Sequence, residues 1–301
     1  MNRLRGSSMG KGALATIMAL ILAASGLSAA APAAPLRIVA AENFYGDVAA
    51  QLGGPWVRVV SILANPDVDP HLFEVNPAVG RAVSKARIVI ENGIGYDPWM
   101  ENLLAATETS GRQTIVVASL IGRKPGDNPH IWYDPHTMLA LGSALERVLA
   151  ADDPAHAADF LPHLVAFRAS LMPIEARIAS LRARLAGTAV TATEPVFGYM
   201  FAALGMEVKN RRFQLAVMND TEPSAAEIAG FEADLRRHRV ALLAYNSQAS
   251  DPIALRMVRV AKEAGVPVVG VTETEPPRTT YQAWILGELK EVQRALAPHK
   301  P

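Results

Sequence analysis

Two of the seven histidines share an unusual setting. His71 lies in DVDPHLFEVNP and His130 in GDNPHIWYDP, each directly after a proline. Proline fixes the local backbone, and both segments read as turns just beyond strand-like runs, where binding groups project from a rigid sheet. Neutral imidazole is the commonest transition-metal ligand, yet it is also a common turn or capping group. Spacing alone therefore leaves a metal role and a structural role evenly matched at these two positions. The other histidines read as surface residues: His136 at a helix start, His156 and His163 in a long helical stretch, His238 in the basic run RRHR and His299 in the tail.

Residues that bind must be held by elements, and the sequence lays these out in an α/β rhythm. Short β-branched runs (LRIVAAE, WVRVVSIL, RIVIENG, TIVVAS) alternate with segments of helical spacing at residues 45–52, 77–85 and 97–106. The second half repeats the pattern with AVTATE, EVKNRRFQLAVM, VALLAYNS and VPVVGVTE, with helices expected after Pro195, Ser224 and Pro252. Two similar α/β lobes with mainly parallel sheets follow, because the intervening segments are long enough for crossover helices. Between them, Phe160, Leu164, Phe167, Leu171, Ile174, Ile178, Leu181 and Leu185 recur three or four apart. That spacing predicts one long amphipathic helix joining the lobes as a rigid strut, kinked at Pro173. The expected divisions are a signal peptide at 1–31, an N-terminal lobe at 32–153, the linking helix at 154–186 and a C-terminal lobe at 187–301.

Bulk properties narrow the function. Arg3, Arg5 and Lys11 precede an apolar run from Ala13 to Leu27 that ends in the small residues Ser28, Ala29, Ala30 and Ala31. This is the pattern of a cleaved export signal, and the run is shorter than the roughly 20 residues that span a bilayer. Cysteine is absent, so the chain must hold its fold by burial alone and carries no lipid on an N-terminal cysteine. Lys plus Arg equals Asp plus Glu at 29 each. A balanced charge favours neither nucleic acid nor an anionic membrane and leaves a small ligand as the better expectation.

Four stretches together, DVDPHLFEVNP, NPHIWYDP, TEPVFGYMFAALGM and VVGVTETEPP, resemble the metal-specific solute-binding proteins of ABC transporters that serve zinc and manganese importers. The resemblance runs from about residue 36 to 296. It implies two α/β lobes joined by one long rigid helix, with a single metal ion in the cleft between them. It further implies four ligand positions, which fall here on His71, His130, Glu194 and Glu273. Glu275 competes for the last of these, and Glu273 aligns better. Asn246 and Gln248 at the end of another strand read as partners behind the ligands.

Two imidazoles with one or two carboxylates suit Zn²⁺, Mn²⁺ or Fe²⁺, carried as a transported ligand. The carboxylates would cancel the ion's charge in a dry cleft. The resemblance also implies a His- or acid-rich loop before the second histidine in many zinc-serving members; SLIGRKPGDNPH has no such run, and with an acid at the third position this shifts the balance modestly toward manganese or iron. Without metal, Glu194 would be a helix N-terminal acid ahead of Pro195, and Glu273 a loop carboxylate facing water. The expected partner is a cognate ABC permease in the inner membrane, served by a periplasmic, non-lipidated monomer that is not an enzyme. The competing class is a His/His/Glu zinc hydrolase. It fits less well, because the chain has no HExxH and its ligands are scattered over both halves.

Overall fold

The computed structural model describes residues 1–2, 34–67, 70 and 73–297. The export signal, His71 and His299 lie outside the described residues. The chain divides into two compact units, Met1–Ala34 and Pro35–Pro301, and every element below belongs to the second.

The first sheet contains β1 (Leu36–Glu42), β2 (Val57–Leu63), β3 (Ile88–Glu91) and β4 (Gln113–Val116), ordered β2-β1-β3-β4. All its pairings are parallel. From Ile38 to Glu42 every residue of β1 is buried, as expected for a strand covered on both faces. The crossovers are α1 (Asn43–Gly53), α2 (Pro77–Ser84) and α3 (Pro98–Ala106). Asn76 fixes the start of α2, its side chain accepting from the amides of Ala78 and Val79 while Pro77 opens the helix. After β4 come α4 (Val117–Leu120) and α5 (Thr137–Asp152).

The second sheet repeats this wiring with β5 (Ala189–Ala192), β6 (Glu207–Val208), β7 (Leu243–Asn246) and β8 (Val268–Val271), ordered β6-β5-β7-β8. Its pairings are again parallel. Its helices are α7 (Gly198–Ala203), α8 (Arg211–Met218), α9 (Ala225–Arg236), α10 (Pro252–Glu263) and α11 (Tyr281–Ala295). In each sheet the chain first steps to one side of its opening strand and then crosses to the other. A crevice therefore opens at the carboxyl ends of the strands, the usual ligand position in such sheets.

The connecting helix α6 runs unbroken over Ala157–Leu185, 29 residues or roughly 44 Å. Its buried residues are the eight apolar positions that define its periodicity, and both Pro162 and Pro173 lie inside it. These side chains belong to one continuous core that also takes in Ile38 and Phe44 of the first lobe and Val190, Val271 and Leu289 of the second. The strut is thus packed into both lobes.

Two expectations fail locally. EVKNRRFQLAVM is not a strand: only Glu207 and Val208 pair with β5, and the chain then turns into α8. Asn210 takes a left-handed conformation, φ 56°, at the turn, and Phe213 and Val217 are buried four residues apart, which is helical spacing. TIVVAS likewise splits, with β4 ending at Val116 and a helical turn beginning at Val117.

Candidate metal centre

His130 stands at the head of a 3-10 turn, Ile131–Tyr133, with no solvent exposure. Its loop is held from three sides. The Asn92 amide donates to the Pro129 carbonyl at 3.0 Å. Asn92 is itself gripped by the Tyr45 hydroxyl at 2.6 Å, while its backbone N–H donates to Asp97 at 2.7 Å. The imidazole packs edge-on against Trp132 and Tyr96, with ring centroids 5.2 and 6.0 Å away. On its outer side Asn128 Oδ1 accepts from the His130 backbone N–H at 3.2 Å and lies 2.6 Å from ring Nδ1.

Opposite stands Glu273, just beyond β8 and fully buried. Its Oε2 lies 3.4 Å from His130 Nε2, so an imidazole of one lobe faces a carboxylate of the other. Its Oε1 accepts from the Asn246 amide at 2.6 Å, and its backbone N–H donates to Gln248 Oε1 at 2.6 Å. Gln248 also donates to Thr274 Oγ1 at 3.0 Å. Asn246 and Gln248, at the end of β7, thereby fix both the carboxylate and the turn that carries it. Tyr96 also reaches Glu273. Burial first, then the Glu273 charge, pushes its hydroxyl well above the ordinary tyrosine range.

Glu194 follows β5 in extended conformation and is 4% exposed. It makes no side-chain cap to the short turn behind it. Burial thus removes the water-facing role for Glu273, while Glu194 does stand at the N-terminal position of the turn Pro195–Phe197. Glu275 is held by its backbone instead. Its N–H donates to Asn43 Oδ1 at 2.9 Å, and its carbonyl accepts from Asn43 Nδ2 at 2.7 Å. Burial, then the Asp47 charge, pushes its carboxyl up to about 8.

Among the described residues no three His, Asp or Glu side chains close into a metal-holding group. Ile62, Leu63, Asn65, Pro70, Phe73 and Thr274 line a shared cavity of 180 Å³, so Pro70 and Phe73 border the turn that carries Glu273. His156 and His163 differ from the solvated residues expected of them. His156 stacks on Trp56 with centroids 3.5 Å apart and pairs with Asp153, and His163 Nδ1 lies 2.8 Å from the Leu52 carbonyl.

Other buried acids surround the crevice. Glu42 and Glu91 close β1 and β3, and burial pushes both up, with Asp97 as the next cause; Glu91 reaches about 7. Asp97 itself is pushed up by burial to about 6. Each ends a β-branched run, as Glu194 and Glu273 do in the other lobe, and that signal could have flagged Glu42 and Glu91. Nothing in the sequence pattern points to Tyr96 or Glu288. Glu288 Oε1 lies 2.8 Å from the Tyr133 hydroxyl and accepts from Trp284 Nε1 at 3.0 Å and the Thr272 amide at 3.3 Å. Burial pushes this carboxyl up to about 8.

The chain as a whole is similar to known proteins. Residues 38–295 match the family model described as the periplasmic zinc-uptake complex component A, ZnuA. A Treponema pallidum (strain Nichols) protein named for metal binding is 23% identical over 280 residues, covering 86% of this chain and 87% of its own. The manganese-binding lipoprotein MntA of Bacillus subtilis (strain 168) is 26% identical over 133 residues, 42% of this chain and 43% of that one. The solved periplasmic zinc-binding protein TroA from Treponema pallidum superposes with a TM-score of 0.73 at 19% identity, covering 88% of this chain and 99% of its own. With the family model spanning nearly all of the described elements, the chain belongs to the ZnuA family of periplasmic metal-uptake components.

Proposed function

We propose that this protein captures one divalent transition-metal ion, Zn²⁺, Mn²⁺ or Fe²⁺, between its lobes and delivers it intact to the permease of an ABC importer. The metal is cargo, and the protein performs no chemistry on it. The observation that carries the reading is the buried pair of His130 and Glu273, an imidazole nitrogen and a carboxylate oxygen from different lobes 3.4 Å apart with no solvent exposure. Such a pair offers a metal ion one electron-rich atom from each lobe. Glu194 and His71 complete the donor set in this reading. Two carboxylates offset the charge of a divalent ion that has left water.

The strut α6 and the shared core restrict hinge motion, so capture proceeds by ordering of the ligand loops around the buried pair of His130 and Glu273. Export by the N-terminal segment and cleavage near residue 31 place the mature monomer in the periplasm. A hydrolase would instead need an open coordination position and room for a substrate beside the ion. The test is calorimetric titration of metal-stripped mature protein with each of the three ions, alongside thermal melting. One ion per chain is expected, with stabilisation of about 2.7 kcal/mol at a hundredfold excess over Kd. No heat and no melting shift with any of the three would end the metal-capture reading.

A further inference from the structure

We infer that Asn128 is the positioning residue of the metal centre, and that its one amide sets which nitrogen of His130 meets the metal while tying that histidine to the other lobe. The inference rests on the reading of His130 as a ligand.

Asn128 Nδ2 donates to the Pro195 carbonyl at 2.7 Å, and its Oδ1 accepts from the His130 backbone N–H at 3.2 Å. Amide orientation is settled by the network around it. Here both deciding partners are backbone groups with fixed roles, since a carbonyl only accepts and an N–H only donates. Turning the amide over would set oxygen against the Pro195 carbonyl and nitrogen against the His130 N–H, so the observed orientation is the one the backbone permits. Oδ1 must then face ring Nδ1, 2.6 Å away. An amide oxygen only accepts, and so Nδ1 carries a hydrogen whether the ring is neutral or charged. Nε2, the nitrogen facing Glu273, is left with the lone pair that a metal ion takes.

The same amide spans the lobes. Pro195 follows Glu194 directly, so the Nδ2 bond holds the peptide next to a second-lobe ligand. Two neighbours limit its movement. The Tyr199 hydroxyl donates to the Asn128 carbonyl at 2.8 Å, and a Cβ on Gly198 would lie 3.0 Å from Nδ2. A glycine at 198 makes room for the side chain that bridges ring and lobe.

The experiment compares the parent with Asn128→Ala, Asn128→Asp and His130→Ala. The His130 ring tautomer is read by nitrogen NMR in metal-free protein, from the two ring-nitrogen shifts. Zn²⁺ affinity is read by competition with a chelating dye. The parent should show hydrogen on Nδ1. Asn128→Ala should lose that preference and bind Zn²⁺ about 10–100-fold more weakly, the usual cost of removing a group behind a ligand. Asn128→Asp keeps an acceptor opposite Nδ1 and should keep the tautomer, with a smaller loss than alanine. It also carries the test if the alanine variant does not fold. Hydrogen on Nε2 in the parent, or an Asn128→Ala protein that keeps both the tautomer and an affinity within about threefold of the parent, would overturn the inference. Full binding by His130→Ala would instead remove the ligand reading, while the tautomer of the parent and of Asn128→Ala still decides the role of Asn128.

Discussion

His130 and Glu273, each in a loop that follows the last strand of its sheet, meet at 3.4 Å. His71→Ala and His130→Ala should each abolish tight metal binding; titration of either variant with an affinity near the parent would move the site elsewhere. Glu194→Gln keeps size but removes a charge and should weaken binding strongly, whereas Glu275→Gln should do little, since Glu275 is held through its backbone. Glu194→His should shift preference toward zinc, whose ligands are more readily nitrogen. Competition between Zn²⁺ and Mn²⁺ on the same variants checks both. The residues proposed for this centre stand out at residue level because Pro-His contexts and acids at strand ends are local signals. Tyr96 and Glu288 were not, because a tyrosine in a turn and an acid on a helix carry chemistry only through what the fold packs against them.

The linking helix was readable for a different reason. Its eight apolar residues repeat over many turns, and period is the strongest local signal of helix. α8 was missed because one short run, EVKNRRFQLAVM, holds two strand residues, a left-handed turn and a helix, and no single period describes it. The strut also sets the element-scale energetics. Phe167 packs on α5, where a Cβ on Gly142 would lie 3.1 Å from Phe167 Cδ1, so the two helices touch at close range. Phe167→Ala should cost about 3–5 kcal/mol of folding stability by leaving a cavity at this crossing. Urea denaturation of metal-free protein measures it, and a loss below about 1 kcal/mol would mean that the strut is not integral to the core.

For the molecule as a whole, pH acts in opposite directions on folding and on binding. Burial pushes Glu288 from 4.5 up to about 8. A carboxyl raised in the folded state contributes stability that is complete below its unfolded value and is lost as pH rises through its folded value, here from about 4.5 to about 8. Glu42, Glu91 and Asp97 are raised too and act in the same sense. Metal-free protein should therefore melt lower at about pH 8 than at about pH 5. Glu288→Gln should gain on the parent as pH rises, and a gap independent of pH would remove Glu288 from this account. In the proposed function metal binding runs the other way, because an imidazole ligand must be free of its proton at the coordinating nitrogen.

The central claim, a single ion held between the lobes by His130 and Glu273, is tested most directly by crystals of protein purified without added metal. Anomalous scattering at the zinc, iron and manganese edges identifies the ion and its place in one measurement. The account predicts one peak in the inter-lobe crevice, with His130 Nε2 at about 2.0–2.1 Å and a Glu273 oxygen at about 2.0–2.2 Å if the ion is zinc. A peak on the outer surface of either lobe, or an ion in the crevice that leaves His130 Nε2 unliganded, would contradict it.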